Sequence, residues 1–400
     1  MTPKKDLELY LHIPFCRQKC RYCDFLSAPL AADSSTADGY VPEAYVDALF
    51  SQIVQESQFY QERRVTTIFW GGGTPSLLRV RDMERLMDAI RAHFCVADDA
   101  EITLESNPGT LDFEKLAGYR RAGINRLSMG LQSACDKELA MLGRIHNFDT
   151  FVQNYKQARR AGFENINVDL MSALPGQTVE SWEQTLVKTA ELGSEHLSAY
   201  SLIIEEGTPF WNWYGEDANQ TLRPKEMLPL PSEEDERRMY ARTREILEQY
   251  GYHRYEISNY AKDGYACRHN IGYWNRTDYL GIGLGASSLI DPMRWKMTSD
   301  LSDYLECGKN QGDFANLREE VQTLRMEEFM FLGLRLTKGI ELQTFEHQFG
   351  KSFWDVYQDA ANKLFSEQLL CLDESKKNLR LTDYGVDVSN YALAEFLLDY

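Results

Sequence analysis

The stretch that most constrains this chain spans residues 10–25 and reads YLHIPFCRQKCRYCDF. It places Cys16, Cys20 and Cys23 in a C-x3-C-x2-C array just past Leu9–Ile13, an alternating, β-compatible run that a proline ends. Three thiols spaced so closely on a loop can bind one metal ion or one small cluster, and soft thiolates select zinc or iron–sulfur clusters. The loop is therefore predicted to bind such a centre at the end of a strand.

The nature of that centre depends on whether a fourth ligand is available. A structural zinc site is closed by four ligands, yet the next Cys or His after Cys23 is His93. A [4Fe–4S] cluster is ordinarily held by four cysteines, so three would leave one iron open for chemistry. On the residues alone, a three-cysteine zinc site and thiols without a function remain as alternatives.

The CxxxCxxC array after a strand resembles the signature of the radical S-adenosylmethionine (SAM) enzymes, in which SAM chelates the open iron through its amino and carboxylate groups. The wider wording, HIPFC before the array and CDF after it, resembles the oxygen-independent coproporphyrinogen III oxidase group and, within it, the HemW branch of heme chaperones. The resemblance covers roughly residues 8–390. It implies a [4Fe–4S] cluster on Cys16, Cys20 and Cys23, with SAM and heme as further ligands.

Strand-like segments alternate with helical patterns through the first half of the chain, which predicts a parallel α/β sheet. The predicted strands are Leu9–Ile13, Thr66–Trp70, Glu101–Glu105, Asn125–Met129, Asn165–Leu170 and His196–Leu202, and the helices lie near 45–54, 81–93, 112–122, 150–161 and 180–191. The residues alone leave an incomplete barrel and a doubly wound open sheet both open. The resemblance implies the first, an incomplete (β/α)6 TIM-like radical SAM barrel.

The βα repeat ends near residue 210, and we predict three domains. Residues 1–210 form the barrel with the cluster loop, 211–317 a connecting α+β region, and 318–400 a mostly helical, winged-helix-like domain of the kind that follows the barrel in this group. Further predicted elements are a helix near 233–249, a strand at Tyr252–Ile257, helices near 319–333, 341–348, 353–367 and 384–398, and a hairpin in CLDESKKNLRLT.

Composition excludes several classes of partner. The formal net charge is −18, and residues 318–400 carry nine Lys and Arg against fifteen Asp and Glu, so we expect no nucleic-acid partner. No run of eighteen apolar residues is present, so no transmembrane segment is predicted. The eight cysteines are scattered outside the first array, which is typical of reduced thiols in the cytoplasm.

The run IFWGGGTP at residues 68–75 brings a predicted strand into three glycines, which allow backbone to approach a ligand closely. Glu105 ends a later predicted strand, at the barrel end where ligands bind, although it could equally be a charge at the start of the next helix. The resemblance implies that SAM contacts nine residues: Tyr10, Tyr22, Gly72, Gly73, Thr74, Glu105, Gln132, Arg144 and Asp169.

Residues 268–274 read RHNIGYW and resemble the HNxxYW element of the heme chaperone branch. His269 is the first candidate for a heme ligand, and Cys267 is the second. The alternative is that His269 and Asn270 only hydrogen-bond a loop. Ser287 stands where the group commonly has a histidine, which puts any role of that histidine in doubt here.

Two departures from the oxidases favour the chaperone interpretation. The oxidases carry a fourth cysteine two residues past the third, where this chain has Phe25, and they have a long segment before the cluster. The prediction is thus a protein that passes heme to an acceptor protein of unknown identity, which can be membrane-associated. Coproporphyrinogen III oxidation, and a heme carrier whose cluster is structural or regulatory, are the alternatives. The resemblance also implies that reduction of the cluster cleaves SAM to a 5′-deoxyadenosyl radical.

Overall fold

The computed structural model describes residues 5–30, 39–216, 218, 223–307 and 318–398. The strands are β1 (Asp6–Ile13), β2 (Phe15–Cys16), β3 (Ala28–Pro29), β4 (Arg64–Gly72), β5 (Cys95–Ser106), β6 (Arg126–Gln132), β7 (Ile166–Ser172), β8 (His196–Ser201), β9 (His253–Arg254), β10 (Asn259–Ala261), β11 (Tyr279–Ile282), β12 (Ser287–Ile290), β13 (Met293–Lys296), β14 (Arg318–Glu319), β15 (Ile340–Glu341), β16 (Leu370–Leu372) and β17 (Asn378–Leu381). The helices are α1 (Glu43–Tyr60), α2 (Val80–His93), α3 (Phe113–Arg121), α4 (Asp136–Leu142), α5 (Phe148–Arg160), α6 (Val179–Ala190), α7 (Pro209–Tyr214), α8 (Glu233–Gln249), α9 (Arg268–Trp274), α10 (Leu301–Cys307), α11 (Gln322–Gly333), α12 (Leu342–Phe349), α13 (Phe353–Ser366), α14 (Asp383–Asp387) and α15 (Ser389–Ala394), with a 3-10 turn at Pro75–Leu77.

One large sheet organises most of the molecule. Its strand order is β14-β13-β12-β11-β1-β4-β5-β6-β7-β8-β10-β9, so the sheet is not closed. The six strands β1 and β4 to β8 are parallel neighbours in chain order, with a helix after each of the first five. The predicted incomplete (β/α)6 barrel is confirmed.

Side chains along β1 point alternately to the two faces of the sheet. Leu7, Leu9 and Leu11 are fully buried in the main hydrophobic core with residues of α1. Glu8 and Tyr10 are paired across the strands with Thr67 and Phe69 of β4, and they point to the opposite face because side chains alternate along a strand. The apolar face thus builds the core under the helices, and the polar face lines the interior of the barrel.

Several helices begin at side-chain caps, which explains why the sequence locates them well. Asp112, Asn147 and Thr178 each accept a hydrogen bond from the backbone N–H three residues later, at the start of α3, α5 and α6. At α6 the hydroxyl of Ser181 also accepts from the Thr178 backbone N–H, which completes a capping box.

The C-terminal unit has its own hydrophobic core, formed by residues of α11, α12, α13, α15 and the small sheet. That sheet has the order β15-β17-β16 and contains the predicted hairpin. The arrangement agrees with the predicted mostly helical, winged-helix-like domain. The predicted domain boundaries at residues 210 and 317 stay a prediction. Strands β11 to β13, which follow residue 210, extend the barrel sheet, and residues 308–317 lie outside the described part of the chain.

Local structure differs from the prediction in three places. Only β9, at His253–Arg254, forms within the strand expected at Tyr252–Ile257. The helix expected near 384–398 is two short helices, α14 and α15, because Val388 between them leaves the helical conformation. The short helices α4, α7, α9 and α10 were not predicted, and neither were the short strands β2, β3 and β10 to β15.

A network of buried ion pairs fixes the C-terminal unit to the barrel. Arg276, which follows α9, donates to Asp291 over 3.1 Å and to Glu320 over 2.9 Å, and it also pairs with Glu328 of α11. Arg294 of β13 donates to both glutamates, over 2.5 Å to Glu320 and 2.7 Å to Glu328. The side chains of Arg276 and Glu320 are each only 2% exposed, so this junction is held by charges with little access to water.

In the residues that the structure describes, no helix is both long enough and apolar enough to cross a membrane.

Candidate functional site

A cavity of about 450 Å³ opens at the carboxyl ends of the parallel strands. Its walls include all three array cysteines and every residue predicted to contact SAM except Tyr10. These are Cys16, Cys20, Cys23, Tyr22, Gly72, Gly73, Thr74, Glu105, Gln132, Arg144 and Asp169. Residues up to 153 positions apart in the sequence therefore meet in one cleft, which we call the first cavity.

The cysteine loop is fixed to the barrel by backbone and side-chain hydrogen bonds. Strand β2, which includes Cys16, pairs with β3, so the loop closes on itself across residues 17–27. The Thr74 hydroxyl donates to Cys16 Sγ over 3.4 Å, and Arg144 donates to Cys20 Sγ over 3.6 Å. Two of the three sulfurs thus already receive a donor from a barrel loop.

The glycines after β4 permit a very close approach to this loop. A Cβ on Gly73 would lie 2.7 Å from the Phe15 carbonyl oxygen and 3.0 Å from Cys16 Sγ. Gly72 has φ +109°, where a side chain would be strained, and its N–H donates to Glu105 Oε2 over 3.2 Å. The segment therefore needs glycine at both positions, to pack against the cysteine loop and to present its backbone to the cavity.

The donor set fits a [4Fe–4S] cluster. The three sulfurs border one cavity, the Gly73 contact leaves no room for a side chain beside Cys16, and cluster sulfurs commonly accept hydrogen bonds such as those from Thr74 and Arg144. Among the described residues, no three His, Cys, Asp or Glu side chains are grouped closely enough to hold a single metal ion.

Burial sets the protonation of the acidic groups at the bottom of the cavity. Burial, together with the nearby Asp169, raises the pKa of Glu105 to about 8, although the hydrogen bond from the Gly72 N–H opposes the shift. Burial also raises the pKa of Asp169, although Asn167 and Ser128 donate to its two oxygens over 2.7 and 3.1 Å. Glu105 is therefore a carboxyl group whose charge changes near neutral pH.

Gln132 and Arg144 also border the first cavity. Gln132 has φ +71°, and its side-chain oxygen accepts from the Tyr200 hydroxyl over 3.2 Å. Arg144 donates to the Gly130 carbonyl over 2.5 Å and to Asn107 Oδ1 over 2.6 Å. Sequence reasoning did not single out Asn107 or Tyr200; the only signal for Asn107 was its position two residues past Glu105.

Tyr10 lies instead on the wall of a second cavity of about 770 Å³, which shares Gly72 and Glu105 with the first. Its hydroxyl is 3.0 Å from Nδ1 of His12, whose Nε2 donates to the Leu26 carbonyl over 2.8 Å. The remaining walls include aromatic side chains of α9 and β11 and residues of α11, which belongs to the C-terminal unit. A ligand in this second cavity would touch both the barrel and the C-terminal unit.

His269 is not on the wall of either cavity. It is 1% exposed, its Nδ1 lies 2.6 Å from the Thr67 hydroxyl, and its Nε2 lies 3.0 Å from the Tyr273 hydroxyl. Burial lowers the pKa of His269 to about 3, so the ring is neutral. This geometry fits the alternative in which His269 holds α9 against the barrel, and the role in heme binding stays a prediction.

The neighbours of His269 divide between the core and the two cavities, and Asn270 borders the first. Cys267 is fully buried, and its Sγ lies 3.5 Å from a carboxylate oxygen of Glu101. Tyr273 and Trp274, from the same helix, border the second cavity. Ser287 also borders it and is exposed, so the position where a histidine was expected faces open space.

Comparison with known families divides the chain in the same way as the fold. Residues 10–188 match the model of the radical SAM superfamily. Residues 322–388 match the model of the HemN C-terminal domain. The first match contains the cysteine array and all nine residues predicted to contact SAM, and the second contains most of the winged-helix-like unit.

Known relatives match over nearly the whole chain. The heme chaperone HemW of Lactococcus lactis is 34% identical over 99% of this chain and 98% of its own length. The protein of the same name from Haemophilus influenzae is 35% identical over the full length of both chains. Among solved structures, the coproporphyrinogen III oxidase HemN of Escherichia coli superposes with a TM-score of 0.83 at 24% identity, covering 98% of this chain and 90% of the oxidase, which shows a shared fold.

Proposed function

Because this chain belongs to the HemW family within the radical SAM superfamily, we propose that it is a heme chaperone, which binds heme and delivers it to an acceptor protein in the cytoplasm. The observation that carries the proposal is the end-to-end similarity to proteins of that name, in a chain whose first cavity gathers the cysteine array. The acceptor is an unidentified protein that receives heme, and membrane-associated proteins are included among the candidates.

Within this function, Cys16, Cys20 and Cys23 would hold a [4Fe–4S] cluster, and SAM would lie in the first cavity. A reduced cluster there would supply the single electron that splits SAM into methionine and a 5′-deoxyadenosyl radical, the chemistry known in this superfamily. Gly72 and Gly73 would present backbone to SAM. Arg144 would donate to the SAM carboxylate through an N–H that does not already bond Asn107 or Gly130. The buried walls would keep water away from the open iron.

Glu105 is expected to contribute to SAM affinity without contributing to cluster assembly. It lies on the cavity wall and bonds to Gly72, with no recorded contact to a cysteine. Replacing Glu105 by alanine should weaken SAM binding by about 1.5–3 kcal/mol, the usual range for a hydrogen bond to a charged group. Calorimetry on the reconstituted protein measures this. Glu164→Ala, which removes an exposed carboxylate before β7, is the control. Unchanged SAM affinity in Glu105→Ala would refute the assignment.

The same residue predicts a pH dependence. Because burial raises the pKa of Glu105 to about 8, the free carboxyl group is mostly protonated at pH 7 and mostly ionised at pH 9. The positively charged SAM should bind the ionised form better, so affinity should rise across this interval. In Glu105→Gln, SAM affinity should rise less between pH 7 and pH 9, because the titration of Glu105 no longer contributes. Any rise that remains comes from the titration of SAM and of other groups. Identical slopes in the two proteins would contradict the prediction.

Heme binding and porphyrin chemistry separate the proposed function from the oxidase. Titration of the reconstituted protein with heme should shift the Soret band, whereas coproporphyrinogen III should not be converted to protoporphyrinogen IX. Conversion at the rate of an authentic oxidase, or absence of heme binding, would overturn the proposal. Retention of heme transfer when the cluster cannot bind SAM would favour the carrier with a structural cluster.

For the heme ligand, His269 is the candidate that the sequence offers, with Cys267 second. Ligation by His269 Nε2 would require that nitrogen to leave the Tyr273 hydroxyl, which lies 3.0 Å away. If heme is ligated there, His269→Ala should change the Soret band and Cys267→Ala should not. Normal heme spectra in both variants would move the heme site elsewhere while leaving the chaperone function in place.

A further inference from the structure

The loop after β5 holds Asn107 in a fixed position at the edge of the first cavity. The Asn107 carbonyl accepts from the Thr110 N–H over 3.1 Å and from the Thr110 hydroxyl over 2.6 Å. Pro108 and Gly109 occupy the two central positions, and Gly109 has φ +87°, as a type II turn requires. The turn therefore fixes the backbone conformation of Asn107 and, with it, the direction of the Asn107 side chain.

The Asn107 amide connects the two barrel residues that donate to cysteine sulfurs. Its Nδ2 donates to Thr74 Oγ1 over 2.8 Å, and its Oδ1 accepts from Arg144 over 2.6 Å. Thr74 in turn donates to Cys16 Sγ, and Arg144 donates to Cys20 Sγ. A continuous chain of hydrogen bonds thus runs from one sulfur to the other through a single amide.

The direction of each bond in this chain is determined by the groups at its ends. The Arg144 guanidinium can only donate, so the amide oxygen must face it and the amide nitrogen must face Thr74. Once Oγ1 of Thr74 accepts from that nitrogen, its hydrogen remains available for Cys16 Sγ. A flipped amide would place donor against donor at Arg144, so the observed orientation is the one that supports both sulfur contacts.

We propose that Asn107 is a positioning residue for the iron–sulfur centre, which orients Thr74 and Arg144 so that both donate to cluster sulfurs. The inference rests on the cluster in the proposed function, but not on heme binding. Hydrogen bonds to cluster sulfurs stabilise the more negative, reduced form, and they tune reduction potentials in iron–sulfur proteins. Loss of the amide should therefore make the cluster harder to reduce.

The test is the midpoint potential of the reconstituted cluster in Asn107→Leu, a neutral variant of similar size that can neither donate nor accept. We expect the equilibrium constant for one-electron reduction to fall about tenfold, which is about 59 mV. Ser106→Ala is the matched control, because Ser106 borders the same cavity but donates to the Ser128 carbonyl and not to this chain. Its potential should stay at the wild-type value.

A double-mutant cycle distinguishes positioning from a general loss of structure. If Asn107 acts through Thr74 and Arg144, removing Thr74 with Thr74→Val should lower the potential by itself, and the Asn107→Leu/Thr74→Val double variant should shift it by less than the sum of the single shifts. Fully additive shifts, or a wild-type potential in Asn107→Leu, would overturn the inference. Should Asn107→Leu fail to fold, Asn107→Ala replaces it with the same two outcomes.

The two proposals fail in different ways. Absence of heme binding in the wild type would end the chaperone proposal and leave the potentials to be compared as before. An unchanged potential in the Asn107 variants, in a protein that still binds heme, would end this inference alone.

Discussion

Replacing Cys20 by alanine should leave the reconstituted protein without its iron–sulfur cluster. Cys20 is one of three sulfurs on the first cavity, and the residues described around it offer no cysteine to take its place. With two thiolates left, at least two irons would lack a protein ligand. Iron content should fall to background, and the thiolate-to-iron charge-transfer absorption should disappear.

Cys95→Ala is the control for that experiment. Cys95 is exposed and begins β5, at the amino ends of the strands, whereas the array lies at their carboxyl ends. Its replacement should leave iron content and absorption unchanged. Full iron retention in Cys20→Ala would disprove the assignment of the array, and loss of iron in Cys95→Ala would show that the assay reports general instability.

Replacing Arg276 by leucine should destabilise the folded protein by about 3–5 kcal/mol, the usual cost of removing one partner of a buried ion pair. Glu320 would be left with only Arg294, and Glu328 and Asp291 would each lose one partner. Because these pairs join the barrel to α11, the C-terminal unit should also loosen. Chemical denaturation measures the first effect, and hydrogen exchange in α11 measures the second.

Arg244→Leu provides the matched control, since Arg244 also pairs with a residue of the C-terminal unit. It contacts Glu248 and Asp383, but its side chain is 41% exposed. Exposed pairs are worth about 0–1 kcal/mol, so this variant should be nearly as stable as the wild type. Equal losses in the two arginine variants would contradict the assignment of the junction to the buried network.

Acid should weaken the same junction. Burial by itself would raise the pKa of Glu320, but hydrogen bonds from Arg276 and Arg294 outweigh it and hold the pKa below its ordinary value. The stability from this carboxylate is therefore present above the ordinary glutamate pKa. It is lost as the pH falls through the lower pKa of the folded protein.

Sequence reasoning located the barrel because each parallel strand carries a local signal. The segments at Thr66–Trp70 and Glu101–Glu105 contain β-branched residues and are flanked by helical patterns, and both lie within observed strands. By contrast, β12 and β13 are four residues each, too short for a period to be recognised, and β12 pairs with β11 at a single position, Tyr279 with Leu289. Such strands are selected by the edge of the sheet they join.

The sequence predicted those residues of the candidate site that belong to a recognisable motif directly after a strand. The cysteines and the residues from Gly72 to Thr74 lie on loops after β1 and β4, and the fold brings those loops together. The surroundings of His269 could not be read from its motif, because burial against Thr67 and Phe69 depends on how α9 packs into the barrel. Asn107 was missed for the same reason: its importance lies in two partners from other loops.

The position of β1 in the sheet has a consequence for biosynthesis. β1 is made before both of its neighbours, because it pairs on one side with β4 and on the other with β11, whose last residue is Ile282. Pairing between segments so distant in sequence closes a long loop and forms late. The strand that leads into the cysteines thus gains its second neighbour only after more than two thirds of the chain has been made. We therefore expect the strand before the cysteine loop to be held on both sides only once β11 has been made.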